Sequence, residues 1–136
     1  ATLRVMNLEI REARLEESEW IARHQVMMAF ESERMRLDAE KVNAGVKAVF
    51  HDPAKGQYFV ALHDSKIVGC MLIQYEWSDW RNRTVLWIHS LYVVPEYRTQ
   101  GVFRALYDFQ KKRVETNPHL GGLRLYVDKT NETAIQ

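Results

Sequence analysis

The sequence predicts an α/β domain built on a mixed, mostly antiparallel twisted sheet with helices packed on both faces. Three observations carry this. The elements read in the order strand, helix, helix, strand, strand, strand, helix, strand. The three consecutive strands in the middle are separated by short polar turns, which suit antiparallel neighbours. The last of them passes through a Pro-containing turn into an amphipathic helix, and then into a further strand. That is the crossover a mixed sheet requires.

Residues 3–10 alternate roughly between apolar and polar and predict the first strand. From Leu15 onward Trp20, Ile21, His24, Met27 and Met28 recur at helical spacing, a stripe for packing on the sheet. A second helix is predicted from about Asp38 to Phe50, with Asp38 as N-cap and Asp52-Pro53 as its stop. Strands follow over 57–62 and 66–77, joined at His63-Asp64-Ser65 as a hairpin. After a polar turn at 78–82, residues 83–94 form the next strand. The helix predicted over 101–115 places Val102, Leu106 and Phe109 on one face, and Asn117-Pro118 ends it. Residues 122–128 predict the final strand, and Asn131 opens an element that the chain does not finish.

Composition narrows the function classes. The 136 residues suit one domain with a real core, and 46% hydrophobic with 27% charged residues is ordinary for a globular protein. With 19 basic and 18 acidic residues the net charge is +1, which gives no case for nucleic acid or a membrane surface as partner. One cysteine, Cys70, excludes an internal disulfide and a cysteine zinc cluster. It lies in an apolar run and reads as a small buried hydrophobe. The histidines are scattered, so no metal site is expected. No apolar stretch is long enough to span a bilayer, and the first residues lack the apolar block of a signal peptide, so a cytoplasmic location is expected. Gly-x-Gly-x-x-Gly and Gly-x-x-x-x-Gly-Lys-[Ser/Thr] are both absent, which argues against a Rossmann site and a P-loop.

The most informative stretch is Trp-Ile-His-Ser-Leu-Tyr-Val-Val-Pro-Glu-Tyr-Arg-Thr-Gln-Gly-Val-Phe-Arg-Ala-Leu, from Trp87 to Leu106. It places an Arg-x-x-Gly sequence, Arg98 to Gly101, between a strand and a helix. The first amides of a helix have no partner within it, and the helix dipole favours negative charge there. A phosphorylated ligand on this turn follows.

The order of elements and this stretch together resemble the GNAT superfamily of acetyl-CoA-dependent N-acetyltransferases. The family signature V-x-P-x-x-R/Q-x-x-G-x-G/A appears as Val93-Val94-Pro95-Glu96-Tyr97-Arg98-Thr99-Gln100-Gly101-Val102-Phe103. The later Leu123-Arg124-Leu125-Tyr126-Val127, followed by Asn131-x-x-Ala134, fits the family's N-x-x-A pattern. The resemblance covers nearly the whole chain and implies the acyl-CoA N-acyltransferase fold as a single domain over 1–136. It implies acetyl-CoA as co-substrate, with its pyrophosphate on the amides of Thr99, Gln100, Gly101, Val102, Phe103 and Arg104. Arg98 and Arg104 add charge, and Arg104 reads equally as a surface salt-bridge residue. A bulge in the fourth strand would expose backbone near Leu91, Tyr92 and Val93 to the pantetheine arm, which pairs there like an added strand. Asn131 matches a position that often contacts the cofactor and also reads as a helix N-cap.

Two departures stand out. The final small residue of the signature is Phe103, whose ring must turn away from the phosphates. The family's last helix and strands, with the tyrosine often used as general acid, should follow Ala134, whereas the sequence stops at Gln136. The domain is therefore expected to lack its C-terminal segment, or to have it completed by another chain, and a homodimer is one way to cover the sheet edge.

The chemistry implied is direct attack of an amine on the thioester. The amine must be neutral to attack, so a base is needed, and in this family a backbone amide near Val93 stabilises the thioester oxygen. His89 is the first candidate base: imidazole titrates near neutral pH, and two-residue alternation puts Trp87, His89 and Leu91 on one face. It also reads as a structural sheet-face histidine. Glu76 on the adjacent strand is the second candidate, or it marks that strand's exit to water. His24 reads as core or as part of the acceptor wall. The aromatics Tyr75, Trp77, Trp80, Trp87 and Tyr92 can form core or hold an amine's methylenes. The fourth strand lacks the acidic residues of polyamine-acetylating relatives, so the acceptor is a small-molecule amine, an amino acid or a protein amine. Two other readings remain open: a CoA-binding sensor or interaction domain without transfer activity, and a structural domain that binds no CoA.

Overall fold

In the computed structural model, which describes residues 7–125, β1 (Glu9–Glu12) lies at the edge of a five-stranded sheet. β2 (Gln57–His63), β3 (Lys66–Ser78), β4 (Arg83–Val93) and β5 (Leu120–Leu125) follow in spatial order as in sequence. The first three pairings are antiparallel and β4–β5 is parallel, joined by the crossover helix α3 (Val102–Thr116). Two helices, α1 (Ser18–Glu33) and α2 (Ala39–His51), connect β1 to β2. The mixed, mostly antiparallel sheet with helices on both faces is therefore the observed architecture.

The strands divide their side chains between two cores. Phe59, Ala61, Met71, Ile73, Leu86 and Ile88 pack with Val102 and Leu106 of α3. Tyr58, Val60, Leu62, Cys70, Leu72 and Tyr92 pack with Ile21 and Ala22 of α1 and Val46 of α2. Cys70 is fully buried, and burial pushes its thiol up to about 12, so it is an inert hydrophobe.

Local chemistry explains the element boundaries. Asp38 caps α2 by accepting from the Glu40 and Lys41 amides at 3.0 and 3.4 Å. His63 pairs with Lys66, leaving a two-residue loop whose Asp64 and Ser65 have φ of 50° and 65°, the double left-handed turn that suits a twisted hairpin. Most boundaries fall within one residue of the sequence reading, and the first and last strands differ by more. The first strand runs through Glu12, because Glu9–Glu12 pairs with Leu62 to Phe59; residues 3–6 of the predicted strand lie outside the described residues. The final strand starts at Leu120, two residues earlier than predicted, and its predicted residues 126–128 also lie outside the described residues.

The stripe on α1 also shifts. Leu15 belongs to a separate short turn, Leu15–Glu17, and the helix buries Ser18, Ile21 and Ala22. Met27 falls off that line and is exposed.

A bulge in β3 brings Gly69 against α3. The register skips Val68, and a Cβ on Gly69 would lie 2.9 Å from Val102 Cγ1 and 3.1 Å from the Tyr92 carbonyl oxygen. Gly69→Val is expected to destabilise the fold by about 1–3 kcal/mol, as overpacking does. Denaturant unfolding measures this, and an unchanged midpoint would mean that α3 moves aside freely.

Candidate active site

The second bulge lies in β4 and is the centre of the site. Leu72 pairs with Ser90 and Ile73 with Ile88, so His89 is the extra residue. Before the bulge Leu86 and Ile88 face α3; after it Leu91 and Val93 do, while Tyr92 faces α1. The two-residue alternation is thus broken at His89, and Trp87, His89 and Leu91 do not share a face as the pattern predicts. The described residues of β5 pair with Thr84 to Ile88 only, so the parallel ladder covers β4 up to the bulge. His89 is exposed at that point. Beside it the Ser90 hydroxyl accepts from Gln25 Nε2 of α1 at 3.4 Å.

Glu76 stands elsewhere. It pairs with Val85, three positions from Ile73 and hence roughly 10 Å along β3 from the bulge. Its carboxylate is exposed and accepts a hydrogen bond from the Trp87 indole. The Arg124 guanidinium lies 5.5 Å from the Trp87 ring. The structure therefore separates the two candidate bases.

The loop after β4 carries the anion-site geometry. Pro95–Tyr97 forms one short helical turn, and Thr99 and Gly101 then take φ of 64° and 87°. Two left-handed residues within three positions curl the backbone, a conformation in which successive amides can converge on an anion. Gly101 is the N-cap of α3 and offers no side chain to the helix amides. The first bond of the helix is Ala105 N–H to the Gly101 carbonyl at 3.0 Å, so the amides of Val102, Phe103 and Arg104 precede the ladder. A Cβ at Gly101 would meet nothing within 4 Å, so the helix end is open. The residues present fit a pyrophosphate group.

The side chains of this segment have distinct roles. Val102 and Tyr92 are buried in the two cores, so only their backbone faces the site; Leu91 and Val93 are half-buried against the α3 core. Thr99 and Gln100 are exposed, bonded back to the carbonyls of Arg98 and Glu96 at 2.6 and 2.8 Å. The Phe103 ring turns along α3 and stacks on Tyr107 at 6.0 Å between centroids. Arg104 is exposed on the first turn of α3 and takes part in none of the ion pairs among the described residues. The Arg98 guanidinium donates to the Val93 carbonyl at 2.9 Å and to Glu31 of α1 at 3.0 Å. Asn131 lies outside the described residues.

On the α1 side the sequence singles out His24 but not Gln25 or Glu31, which touch Ser90 and Arg98. His24 stacks on Trp20 at 3.6 Å and tilts against Tyr92 at 5.2 Å. Its Nδ1 lies 2.7 Å from the Trp20 carbonyl, which can only accept, so Nδ1 carries a proton. Burial holds the His24 pKa below the usual imidazole value of 6.5; the Trp20 carbonyl opposes this, Arg23 adds to it and Glu31 opposes it. The fold therefore disfavours the charged ring. Its contribution to stability is full above the unfolded imidazole pKa and is lost as pH falls toward the lowered folded value. The melting temperature is expected to drop more steeply between about pH 7 and pH 5 in the wild type than in His24→Gln. Parallel curves would remove His24 as the titrating group.

Among the described residues no three His, Cys, Asp or Glu side chains gather to hold a metal, and no helix is long and apolar enough to cross a membrane.

Comparison with known proteins gives a consistent result. A family model described as "Acetyltransferase (GNAT) family" matches residues 10–136. The crystal structure of a possible acetyltransferase from Clostridium difficile 630 is 42% identical and superimposes with a TM-score of 0.86, covering 93% of this chain and 84% of that one. A ribosomal-protein-alanine N-acetyltransferase from Brucella melitensis biovar Abortus 2308 shares the fold at 17% identity, with a TM-score of 0.77 over 94% of this chain and 85% of its own. An aminoglycoside acetyltransferase from an uncultured soil metagenomic sample does so at 20% identity, with a TM-score of 0.69 over 94% and 82%. No protein of curated function is similar enough to match.

Proposed function

The chain belongs to the GNAT acetyltransferase family, and from that premise we propose that it moves the acetyl group of acetyl-CoA to a primary amine, by direct attack while both substrates are bound. The observation that carries this reading is the uncapped start of α3 beside the bulged end of β4. Acetyl-CoA supplies an acyl group activated as a thioester. Within this reading the chain's own groups divide the remaining tasks.

The amides from Thr99 to Arg104 hold the pyrophosphate, helped by the dipole of α3. Phe103 does not obstruct them, because its ring lies along the helix on Tyr107. The backbone of β4 beyond the bulge offers an edge for an extended ligand, and the amide near Val93 is the donor for developing negative charge. His89 accepts the proton of the incoming ammonium, freeing the nitrogen lone pair. The bulge supports this role by setting an exposed His89 outside the register, one residue before Ser90, which accepts from Gln25. Glu76, held by the Trp87 indole, orients that ring and does not take the proton.

Thiol release from acetyl-CoA in the presence of a panel of small amines, amino acids and amine-bearing peptides tests the proposal. Amine-dependent release, with the acetylated product identified by mass, is the expected result. Binding of CoA with no amine-dependent release across the panel would leave a cofactor-binding domain without transfer activity.

A further inference from the structure

We propose that Glu31 is a positioning residue for the cofactor's phosphates, acting through Arg98 to hold the loop 94–101 at a fixed distance from the bulge of β4. The inference rests on the acetyl-CoA reading above and extends it to residues on α1.

Arg98 is the one cation inside the signature loop, and its side chain is already engaged three ways. Its Nε donates to the Val93 carbonyl at 2.9 Å, its Nη2 donates to Glu31 Oε2 at 3.0 Å, and its guanidinium carbon lies 5.5 Å from the Tyr92 ring centroid. The planar fork of arginine can serve the two acceptors and the ring together, which a lysine cannot. The bond to Val93 closes the loop on itself across five residues. The bond to Glu31 ties it to a helix 67 positions away in sequence. The next residue, Thr99, is left-handed and begins the run of amides at the phosphate site. Arg98 is thus a strut under that run, and its charge is balanced by Glu31 and not left for phosphate.

The same helix also reaches the chemistry. Gln25 lies six residues before Glu31, about 9 Å along the helix, and donates to Ser90 beside His89. One rigid element therefore touches both the bulge and the phosphate loop, and sets the spacing between them. The Glu31–Arg98 pair is itself half-exposed, 39% and 47% at the side chains. Pairs of that exposure contribute little to stability, so a variant can lose the tie and keep the fold.

The test compares wild type, Glu31→Gln, Arg98→Met and the double variant by calorimetric titration with CoA, with melting temperatures and Michaelis constants for acetyl-CoA and amine alongside. Glu31→Gln is expected to weaken CoA binding about fivefold, the scale of one modest ionic interaction, with the melting temperature nearly unchanged. Arg98→Met is expected to lose at least as much, and the double variant to match Arg98→Met alone, since Glu31 acts only through Arg98. The acetyl-CoA KM should rise while the amine KM stays level. CoA binding by Glu31→Gln as tight as wild type, or tighter because Arg98 is freed for phosphate, would overturn the inference. So would a Glu31→Gln loss that persists in the Arg98→Met background. A wild type that binds no CoA would overturn the parent reading and this inference with it, a result distinct from either of those.

Discussion

Gly101→Asp weakens CoA binding by roughly 30- to 1,000-fold. The substitution acts at the point where the open helix end meets the loop. Gly101 has a φ of 87°, and a side chain there costs roughly 1 kcal/mol of backbone strain. There is room for the side chain, since a Cβ meets nothing within 4 Å. Aspartate is also a good capping residue, so its carboxylate would take the free amides of α3. Those are the amides proposed to hold the pyrophosphate. The variant therefore folds, with a helix start satisfied by its own carboxylate, and repels the ligand. Lost charge-assisted hydrogen bonds plus repulsion amount to about 2–4 kcal/mol, roughly 30- to 1,000-fold in affinity. Gly101→Asn separates the causes. Asparagine tolerates the left-handed conformation and carries no charge, so it should retain much more affinity. Equal affinity of Gly101→Asp and wild type would remove the phosphate site from this loop.

His89→Ala lowers turnover by about 10²-fold or more, the usual scale for a general base, and leaves CoA affinity intact. An insertion in the strand sets His89 outside the β3 register, at an exposed position. Its removal should therefore cost little stability. The diagnostic is the shape of the pH–rate profile. With the base present, kcat/KM carries an acid limb set by the catalytic base; in the variant that limb should be replaced by the titration of the amine itself. Glu76→Gln should keep the wild-type profile. If His89→Ala keeps it and Glu76→Gln loses it, the assignment of the base is reversed.

Much of this was legible in the chain because it is written locally. Asp38 before an apolar helical stripe, Asp64-Ser65 between two apolar runs, and Val-x-Pro followed by Arg-x-x-Gly each specify a turn or cap from neighbouring residues. The division of the strands between two cores follows from their alternation. The bulge at His89 was illegible because its flanks, Trp87 and Leu91, continue a two-residue pattern that the register breaks. The Glu31–Arg98 tie and the Gln25–Ser90 contact join residues 67 and 65 positions apart, and no local periodicity encodes them. Gln110 is a different case. It looks like surface on an amphipathic helix, yet it is fully buried and accepts from Arg113 at 2.7 Å, while Arg113 lies 4.9 Å from the Phe59 ring. Its place four residues after Leu106 and eight after Val102 puts it on the buried face of α3, so its polar chemistry and not its spacing hid it.

The most direct test of the central claim is calorimetric titration of the protein with acetyl-CoA, CoA and ATP. The account predicts one site that takes acetyl-CoA and CoA and excludes ATP, because the open amides of α3 and the backbone of β4 beyond its bulge are proposed to match a pyrophosphate with an extended arm and not a triphosphate alone. Binding of ATP as tight as CoA, or no binding of either CoA ligand, would contradict it.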